Sequence, residues 1–178
     1  MEEQSKDSRI LALTDGTCVP VRGIQPEDAP ALRGLHGRLS ERTVYMRYFG
    51  PMKELSEPKS RHVADVNDRE GYALVALDPR EPEQIVAVAG YEREGETEKA
   101  EYAVLVEDRF QGRGLGLSLT RELVEAARHQ GIERLYALVM YENADMLKLL
   151  KKLGIEESIK WEDGVEHVTL HLGREEAS

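Results

Sequence analysis

The sequence is poor in cysteine and contains no long apolar run. Cys18 is the one cysteine among 178 residues, so an internal disulfide is excluded and a reducing compartment such as the cytoplasm is favoured. No apolar run approaches the roughly 18 residues that a membrane span needs, and the first residues do not form a signal peptide. We therefore expect a cytoplasmic protein without a membrane partner.

Positive charge is scarce as well. Lysine and arginine number 24 against 34 acidic residues, which gives a formal net charge of −10. Because nucleic acids bind basic surfaces, this balance argues against a nucleic-acid partner. It slightly favours a cationic substrate, although solubility is the simpler explanation.

Length and composition fit one globular domain. The chain is 40% hydrophobic and 33% charged, as in ordinary globular proteins, and its length supports a single core. We expect one domain over residues 9–173, between polar tails at 1–8 and 174–178.

Apolar periodicity predicts a mixed α/β fold. Short runs rich in β-branched residues predict eight strands, and leucines that recur every three or four positions predict five helices. Asp15-Gly16 and Asp163-Gly164 are typical of hairpin turns. The strands are expected at 9–13, 18–22, 72–77, 85–91, 100–106, 135–140, 157–161 and 165–172, and the helices at 26–39, 40–49, 56–66, 115–131 and 143–153.

Residues 98–116 form the most informative stretch. A buried type of strand at 100–106 is followed by a short polar connection and then by Gln111-Gly112-Arg113-Gly114-Leu115-Gly116. This glycine-rich turn opens a helix, where unpaired N–H groups and the positive end of the helix dipole converge. The pattern predicts a phosphate site. The helix is indicated by its apolar positions Leu115, Leu119, Leu123 and Ala126.

Two familiar phosphate loops do not fit the glycine-rich turn. The stretch lacks the Gly-Lys-Ser/Thr of a nucleoside triphosphatase loop, and its glycines do not follow the Gly-x-Gly-x-x-Gly dinucleotide pattern. It does match Gln/Arg-x-x-Gly-x-Gly/Ala, through Gln111, Gly114 and Gly116. In this it resembles the acetyl-CoA site of the GNAT superfamily of N-acetyltransferases. The alternative is a turn that merely connects a strand to a helix.

The resemblance implies a fold and a set of cofactor contacts. The fold would be a central mixed β-sheet of about six to seven strands, with splayed central strands, flanked by about four helices. Leu105 and Val106 would pair with the pantetheine arm of acetyl-CoA, and the backbone amides from Gly112 to Gly116 would hold its pyrophosphate. Arg113 would add charge there, unless it is only a solvated arginine. The implied cofactor-binding residues are Leu105, Val106, Gln111, Gly112, Arg113, Gly114, Leu115, Gly116 and Asn143.

A second motif supports the same family. Asn143 begins a helix that ends at Leu153-Gly154-Ile155, and the GNAT superfamily has a cofactor-contacting Asn at the start of such a helix. An Asn at this place is also a good N-cap. Leu150 replaces the tyrosine that protonates the leaving thiolate in many relatives. Either the thiolate leaves without a protein acid, or another group supplies the proton. Lys148, Lys151 and Lys152 are interpreted as a solvated face; the alternative is that they reach the adenosine phosphate of the cofactor.

The N-terminal half indicates a branch of the superfamily. The segments 39–49, 55–56 and 66–76 resemble the acetyltransferase domain of Pat-type bacterial protein lysine acetyltransferases. Those enzymes also tend to lack the tyrosine at the Leu150 position. The resemblance covers roughly residues 18–172.

Acetyl transfer to an amine needs a neutral nucleophile, and Glu101 is the candidate base. Lysine has a pKa of about 10.4, so a carboxylate that removes the proton is valuable at neutral pH. Strand alternation places Glu101, Ala103 and Leu105 on one face. A lone carboxylate among apolar strand residues would have a raised pKa, and Pat-type enzymes carry their catalytic glutamate at the matching position. The alternatives are a solvent-facing Glu101 and, as a reserve base, Glu98.

The Val106 N–H is the candidate donor to the oxygen that becomes negative during transfer. No metal is expected, because the five histidines have no convincing ligand spacing. Cys18 is interpreted as a core residue, since it has no neighbouring base.

These observations favour direct acetyl transfer from acetyl-CoA to a primary amine in a ternary complex. A protein lysine is the favoured acceptor, so the expected partners are acetyl-CoA and a protein with an exposed lysine. A small-molecule amine acetyltransferase and a non-catalytic acyl-CoA binding or sensing domain are the alternatives. The chain is expected to be a monomer or a homodimer.

Overall fold

The predicted strands form one mixed sheet. In the computed structural model, which describes residues 8–66 and 70–173, eight strands lie in the order β1-β2-β3-β4-β5-β6-β8-β7. The predicted tails, apart from Ser8, and residues 67–69 of the Pat-like segment lie outside the described residues. The strands are β1 Arg9–Ala12, β2 Cys18–Gly23, β3 Gly71–Leu77, β4 Ile85–Arg93, β5 Lys99–Val106, β6 Arg134–Met140, β7 Glu157–Glu162 and β8 Val165–His171.

Five α-helices pack on this sheet. They are α1 Ala29–Arg38, α2 Glu41–Tyr48, α3 Glu57–Ala64, α4 Leu115–His129 and α5 Ala144–Lys152, with short 3-10 turns at Pro26–Asp28 and Asp108–Phe110. Ser40, Ser56 and Asn143 cap α2, α3 and α5, each accepting a bond from a backbone N–H in the first turn. Such caps satisfy donors that a helix end otherwise leaves unpaired.

The mixed α/β class is confirmed, and the strand count exceeds the family expectation. Eight strands lie in the described sheet where about six to seven were implied, because two hairpins extend its edges. Asp15-Gly16 joins β1 to β2, and Asp163-Gly164 joins β7 to β8 with positive φ at both turn residues. Positive φ at two successive positions is typical of a tight hairpin turn.

Two apolar layers cover the two faces of the sheet. The larger packs α4 and α5 against one face, with Leu115, Leu119 and Leu123 fully buried. The smaller packs α1 and α3 against the other face, where Leu32, Leu35 and Leu105 meet. Cys18 is exposed at the start of β2, so its interpretation as a core residue was wrong: side chains alternate along the strand, and the next residue, Val19, takes the buried place.

The centre of the sheet opens between β5 and β6. These parallel strands pair only at Lys99–Arg134, Ala100–Leu135 and Glu101–Tyr136. Beyond Glu101, β5 stays paired with β4 up to Val106, while β6 stays paired with β8. The strands therefore separate into a V, which confirms the expected splay.

Among the described residues, no helix combines the length and apolarity that crossing a membrane would require.

Candidate active site

The register of β5 decides which backbone groups face the opening. Glu94 N–H bonds to Lys99 O, and Glu107 N–H bonds to Val86 O, so the odd-numbered residues of β5 direct their backbone groups toward β4. The even-numbered residues face the other way, and Glu98 O accordingly accepts from Arg134 N–H on the β6 side. In a strand this alternation is strict. Val104 and Val106 therefore present their backbone to the opening, as predicted for Val106, whereas the backbone of Leu105 faces Val88 on β4.

A large cavity of about 570 Å³ fills this opening. It runs from Glu101 on β5, past the glycine-rich turn, to the start of α5. Of the predicted cofactor-binding residues, all but Arg113 line it. Those that do are Leu105, Val106, Gln111, Gly112, Gly114, Leu115, Gly116 and Asn143.

The glycines of the turn are required by its backbone. Gly112 and Gly114 have φ of 72° and 85°, a region that side chains with a Cβ rarely adopt. A Cβ on Gly114 would also lie 3.1 Å from Thr14 Cγ2, and one on Gly116 would lie 3.1 Å from Leu149 Cδ1. Gly114 is the N-cap of α4, so the unpaired N–H groups of the first turn lie at the cavity. The cavity and its backbone amides fit the pyrophosphate of acetyl-CoA.

Arg113 has a different place from the one predicted. Its Nε donates to Asp15 Oδ2 at 2.8 Å, and its Nη2 donates to Thr17 Oγ1 at 2.8 Å. Thr14 N–H in turn donates to Arg113 O. Hydrogen bonds from Thr17, backbone first, and then from Arg113 lower the pKa of Asp15 to about 2. The guanidinium thus ties the β1–β2 hairpin to the glycine-rich turn.

Gln111 and Asp108 fasten α2 to the end of β5. Gln111 Nε2 donates to Val106 O at 2.9 Å and to Thr43 Oγ1 at 3.1 Å. Asp108 accepts from Ser40 N–H at 2.9 Å, from Ser40 Oγ at 2.6 Å and from Thr43 Oγ1 at 2.9 Å. Gln111 therefore acts on the shape of the cavity through the strand end and α2.

A chain of hydroxyl groups joins β5 to α4 beneath the cavity. Thr120 Oγ1 donates to Gly116 O at 2.7 Å, so its oxygen accepts from the Tyr102 hydroxyl. Tyr102 is buried, and burial raises the pKa of its hydroxyl above the ordinary value. A hydroxyl that is held neutral and bonded in this way positions the first turn of α4.

The second motif lies on the opposite wall. Asn143 Oδ1 accepts from Met146 N–H at 3.2 Å, and the residue lines the large cavity, so capping and a place at the cofactor site coincide. Leu150 is 1% exposed within the core. Its position therefore offers no proton donor to the cavity. Lys148 and Lys152 line the outer part of the cavity.

A small cavity of about 200 Å³ lies on the other side of β5, under α1 and α3. It shares Arg47 on α2 with the large cavity, together with Glu101, Ala103, Val104 and Leu105 on β5. The two cavities therefore meet at the place where the sheet splays.

Glu101 stands at this junction and is exposed. The apolar surroundings that were expected for Glu101 lie instead around Leu105, four residues further along the same face of β5. The Glu101 carboxylate itself lies at the rim of the cavities. Glu98, the reserve base, lies before β5, outside the residues that line either cavity. Of the two glutamates, Glu101 is the one that lines both cavities.

Sequence reasoning did not single out Thr43, Met46 and Arg47 on α2, which line the large cavity. Nothing in their local pattern separates a cavity wall from a core helix. Thr43 is half-buried and is bonded to Asp108 and Gln111 in the fold, which the sequence alone does not show. Among residues 8–66 and 70–173, no group of three or more histidine, cysteine or acidic side chains forms a metal site.

The splayed mixed sheet and the glycine-rich turn at the mouth of the V are the features that the resemblance to the GNAT superfamily led us to expect. Comparison with known families agrees: residues 40–155 match the acetyltransferase (GNAT) family model. The chain belongs to the GNAT family. Members of this family use acetyl-CoA and transfer its acetyl group.

The proteins similar to the chain include two curated acetyltransferases and one solved acetyltransferase domain. Acetyltransferase PA5475 of Pseudomonas aeruginosa is 32% identical over 149 residues, which are 83% of this chain and 80% of that protein. Acetyltransferase Pat of Mycolicibacterium smegmatis is 30% identical over 141 residues, which are 75% of this chain but 40% of that protein. The GNAT domain of S. lividans PAT superposes with a TM-score of 0.85 at 28% identity, covering 92% of this chain and 96% of that domain.

Proposed function

We propose that this chain transfers the acetyl group of acetyl-CoA to a primary amine, and that a protein lysine is the acceptor. The observation that carries the proposal is the junction of two cavities on β5. The large cavity, with its glycine-rich turn, fits the donor, and the small cavity is left for the acceptor. Similarity to two Pat proteins favours lysine among the amines.

Glu101 is the base in this proposal. Glu101 first takes a proton from the ammonium form of the amine and passes it to water; the neutral amine nitrogen then attacks the thioester carbon, a C–N bond forms, and the nitrogen gives up its second proton to the same carboxylate. An exposed carboxylate at the rim can pass that proton on to water, which restores the base. General bases of this kind contribute about 10²–10⁴-fold to a rate.

Val106 supplies the hydrogen bond to the developing oxyanion. Its N–H faces the opening because of the strand register, and Gln111 bonds to Val106 O and so holds the adjoining peptide unit at the end of the strand. A donor fixed before the reaction begins costs no reorganisation during it. As the C–S bond breaks, the thiolate of coenzyme A leaves; with a thiol pKa of about 8.5 it can leave without a protein acid.

Thiol release tests the proposal. Purified protein is given acetyl-CoA with pentylamine, with a lysine peptide and with a folded protein that exposes lysines, while acetyl-CoA binding is measured by calorimetry. Release with the lysine acceptors supports the proposal. Release with pentylamine alone moves the acceptor to small amines, binding without release indicates a sensing domain, and absence of binding contradicts the cofactor site.

A further inference from the structure

A second glutamate faces Glu101 across the strand pair. Glu92 on β4 and Glu101 on β5 are directly opposite in the register, in a pair whose backbone groups bond to each other. Directly opposed side chains lie on the same face with Cβ atoms about 5.5 Å apart. Both side chains line the small cavity, so two carboxylates meet at its mouth.

This arrangement is unfavourable unless a cation lies close by. Like charges directly opposite on a sheet repel each other. His62 on α3 offsets part of the repulsion, since its Nε2 lies 2.9 Å from Glu92 Oε1 and 3.1 Å from Glu92 Oε2. Arg47, the arginine of the cavity, stacks on Tyr48 and forms no ion pair with either glutamate within the described ranges. Glu101 therefore lies next to Glu92 without an ion-pair partner among the described residues.

One buried polar atom inside the small cavity also has no hydrogen-bond partner among the described residues. His36 is 4% exposed, and its Nε2 donates to Met52 O at 2.7 Å. A carbonyl oxygen can only accept, so Nε2 is the donor in this bond, and the other ring nitrogen, Nδ1, has no hydrogen-bond partner among the described residues. Buried polar atoms are normally paired. The rest of the wall is aliphatic and suits a methylene chain: Leu32, Leu35, Leu55, Val63 and Val88.

We propose that Glu92 is a substrate-binding residue that holds the ammonium group of a cationic aliphatic amine beside Glu101. The inference rests on the proposed function and names the acceptor class: a primary amine on a methylene stem, as in a lysine side chain or a free alkylamine. Glu92, fixed by His62, keeps the cation in place, and Glu101 removes its proton. The aliphatic wall contacts the methylene stem.

The test compares a charged nucleophile with an uncharged one of similar length. Pentylamine is cationic at neutral pH, whereas butanoic hydrazide is neutral. In Glu92→Gln we expect the KM for pentylamine to rise about tenfold, because a hydrogen bond to a charged group is lost. The kcat for pentylamine, the KM for the hydrazide and the affinity for acetyl-CoA should each stay within about twofold.

Two further variants make the result specific. Glu94→Gln removes the same charge from the same strand end, where Glu94 accepts from Tyr136 and does not line the cavity, and it should leave both KM values unchanged. Glu92→Asp keeps the carboxylate on a side chain that is one methylene shorter. Its KM for pentylamine should lie between those of the wild type and Glu92→Gln. A lysine peptide measured in parallel identifies the kind of acceptor. An equal rise in the KM for the peptide in Glu92→Gln indicates a protein lysine, and a rise in the KM for pentylamine alone indicates a free amine.

An unchanged pentylamine KM in Glu92→Gln, or an equal rise for the hydrazide, would overturn the role of Glu92. In either case the wild-type chain still releases thiol, so the proposed function survives. If the wild-type chain releases thiol with none of these nucleophiles, the proposed function itself fails. The two failures are thus separate observations on the same assay.

Discussion

The two cavities that meet on β5 are built from different parts of the chain. Backbone groups of Val104, Val106 and the glycine-rich turn form much of the large cavity, and hydrogen bonds donated by Gln111 and Thr120 to Val106 O and Gly116 O hold them in place. Side chains from α1, α3, β4 and β5 form the small cavity, where His36 Nδ1 has no partner among the described residues. In the proposed function, the large cavity that takes acetyl-CoA depends on backbone conformation, and the small cavity that takes the acceptor depends on which side chains line it.

This difference teaches why one fold can serve many acceptors. A backbone cradle tolerates changes in most side chains but requires glycine at positions such as Gly114. A side-chain pocket can be altered by one substitution while the sheet stays the same. Variants should therefore separate the two sides, with donor binding and acceptor turnover changing independently.

The largest expected effect is on the acceptor side. In Glu101→Gln, kcat with the amine acceptor should fall at least about 10²-fold, because the base is lost, while the affinity for acetyl-CoA is unchanged. Steady-state kinetics and calorimetry check both parts. Glu98→Gln, close in sequence but outside both cavities, is the control and should keep full activity. Wild-type kcat in Glu101→Gln would remove Glu101 from the mechanism.

A smaller effect is expected on the donor side. Gly114→Ala places a Cβ at φ of 85° and 3.1 Å from Thr14 Cγ2, which distorts the turn, so the Kd for acetyl-CoA should rise about tenfold; the backbone strain should cost about 1 kcal/mol of stability. Gly131→Ala is a matched control, with φ of 77° and nothing within 4 Å of its Cβ. It should lose similar stability and bind acetyl-CoA normally. Equal Kd changes in both variants would show that the effect is only strain.

A third variant loosens α2, the helix whose Arg47 lines both cavities. Asp108→Ala removes the acceptor of three bonds from Ser40 and Thr43, which hold α2. We expect the free energy of unfolding to fall by about 1 kcal/mol, a modest value because the site is exposed. The KM values for both substrates should rise. Thermal unfolding and kinetics measure these effects. A change in one KM alone would show that α2 serves only one cavity.

Asp108 also gives this contact a pH dependence. Burial raises the pKa of Asp108, but hydrogen bonds from Ser40 and Thr43 outweigh burial and hold the pKa below its ordinary value. A lowered pKa in the folded state means that the stabilisation is complete above the unfolded value of about 3.9 and is lost as the pH falls through the folded value. Asp108→Ala should therefore show a shallower loss of stability below about pH 4 than the wild type.

The smallest expected effect is at the hairpin. Asp15, with a pKa of about 2, is stabilised by its contacts with Thr17 and Arg113 only when ionised, so that stabilisation disappears as the pH falls from about 4 toward 2. Asp15→Asn should flatten the acid-unfolding curve in this window and leave kcat at neutral pH unchanged. A loss of acetyl-CoA binding in this variant would mean that the hairpin shapes the donor site.

The sequence predicted features that depend on local chemistry. Gly112 and Gly114 were predicted from a glycine-rich turn that opens a helix, Asn143 from its resemblance to a family motif at a helix start, and the hairpins from their Asp-Gly pairs. The features that depend on long-range contacts were not predictable. Arg113 is bonded to a hairpin about a hundred residues away, and the pairing of Glu92 with Glu101 follows from a register that no local pattern fixes.

The central claim is that donor and acceptor occupy the two cavities at the same time. A bisubstrate analogue, with a two-carbon bridge from the sulfur of coenzyme A to the ε-nitrogen of a lysine peptide, tests this directly. The account predicts competitive inhibition against both substrates and binding at least about tenfold tighter than coenzyme A alone, because linked groups bind as one. No gain over coenzyme A, together with the parallel initial-velocity lines of a covalent acyl-enzyme, would contradict it.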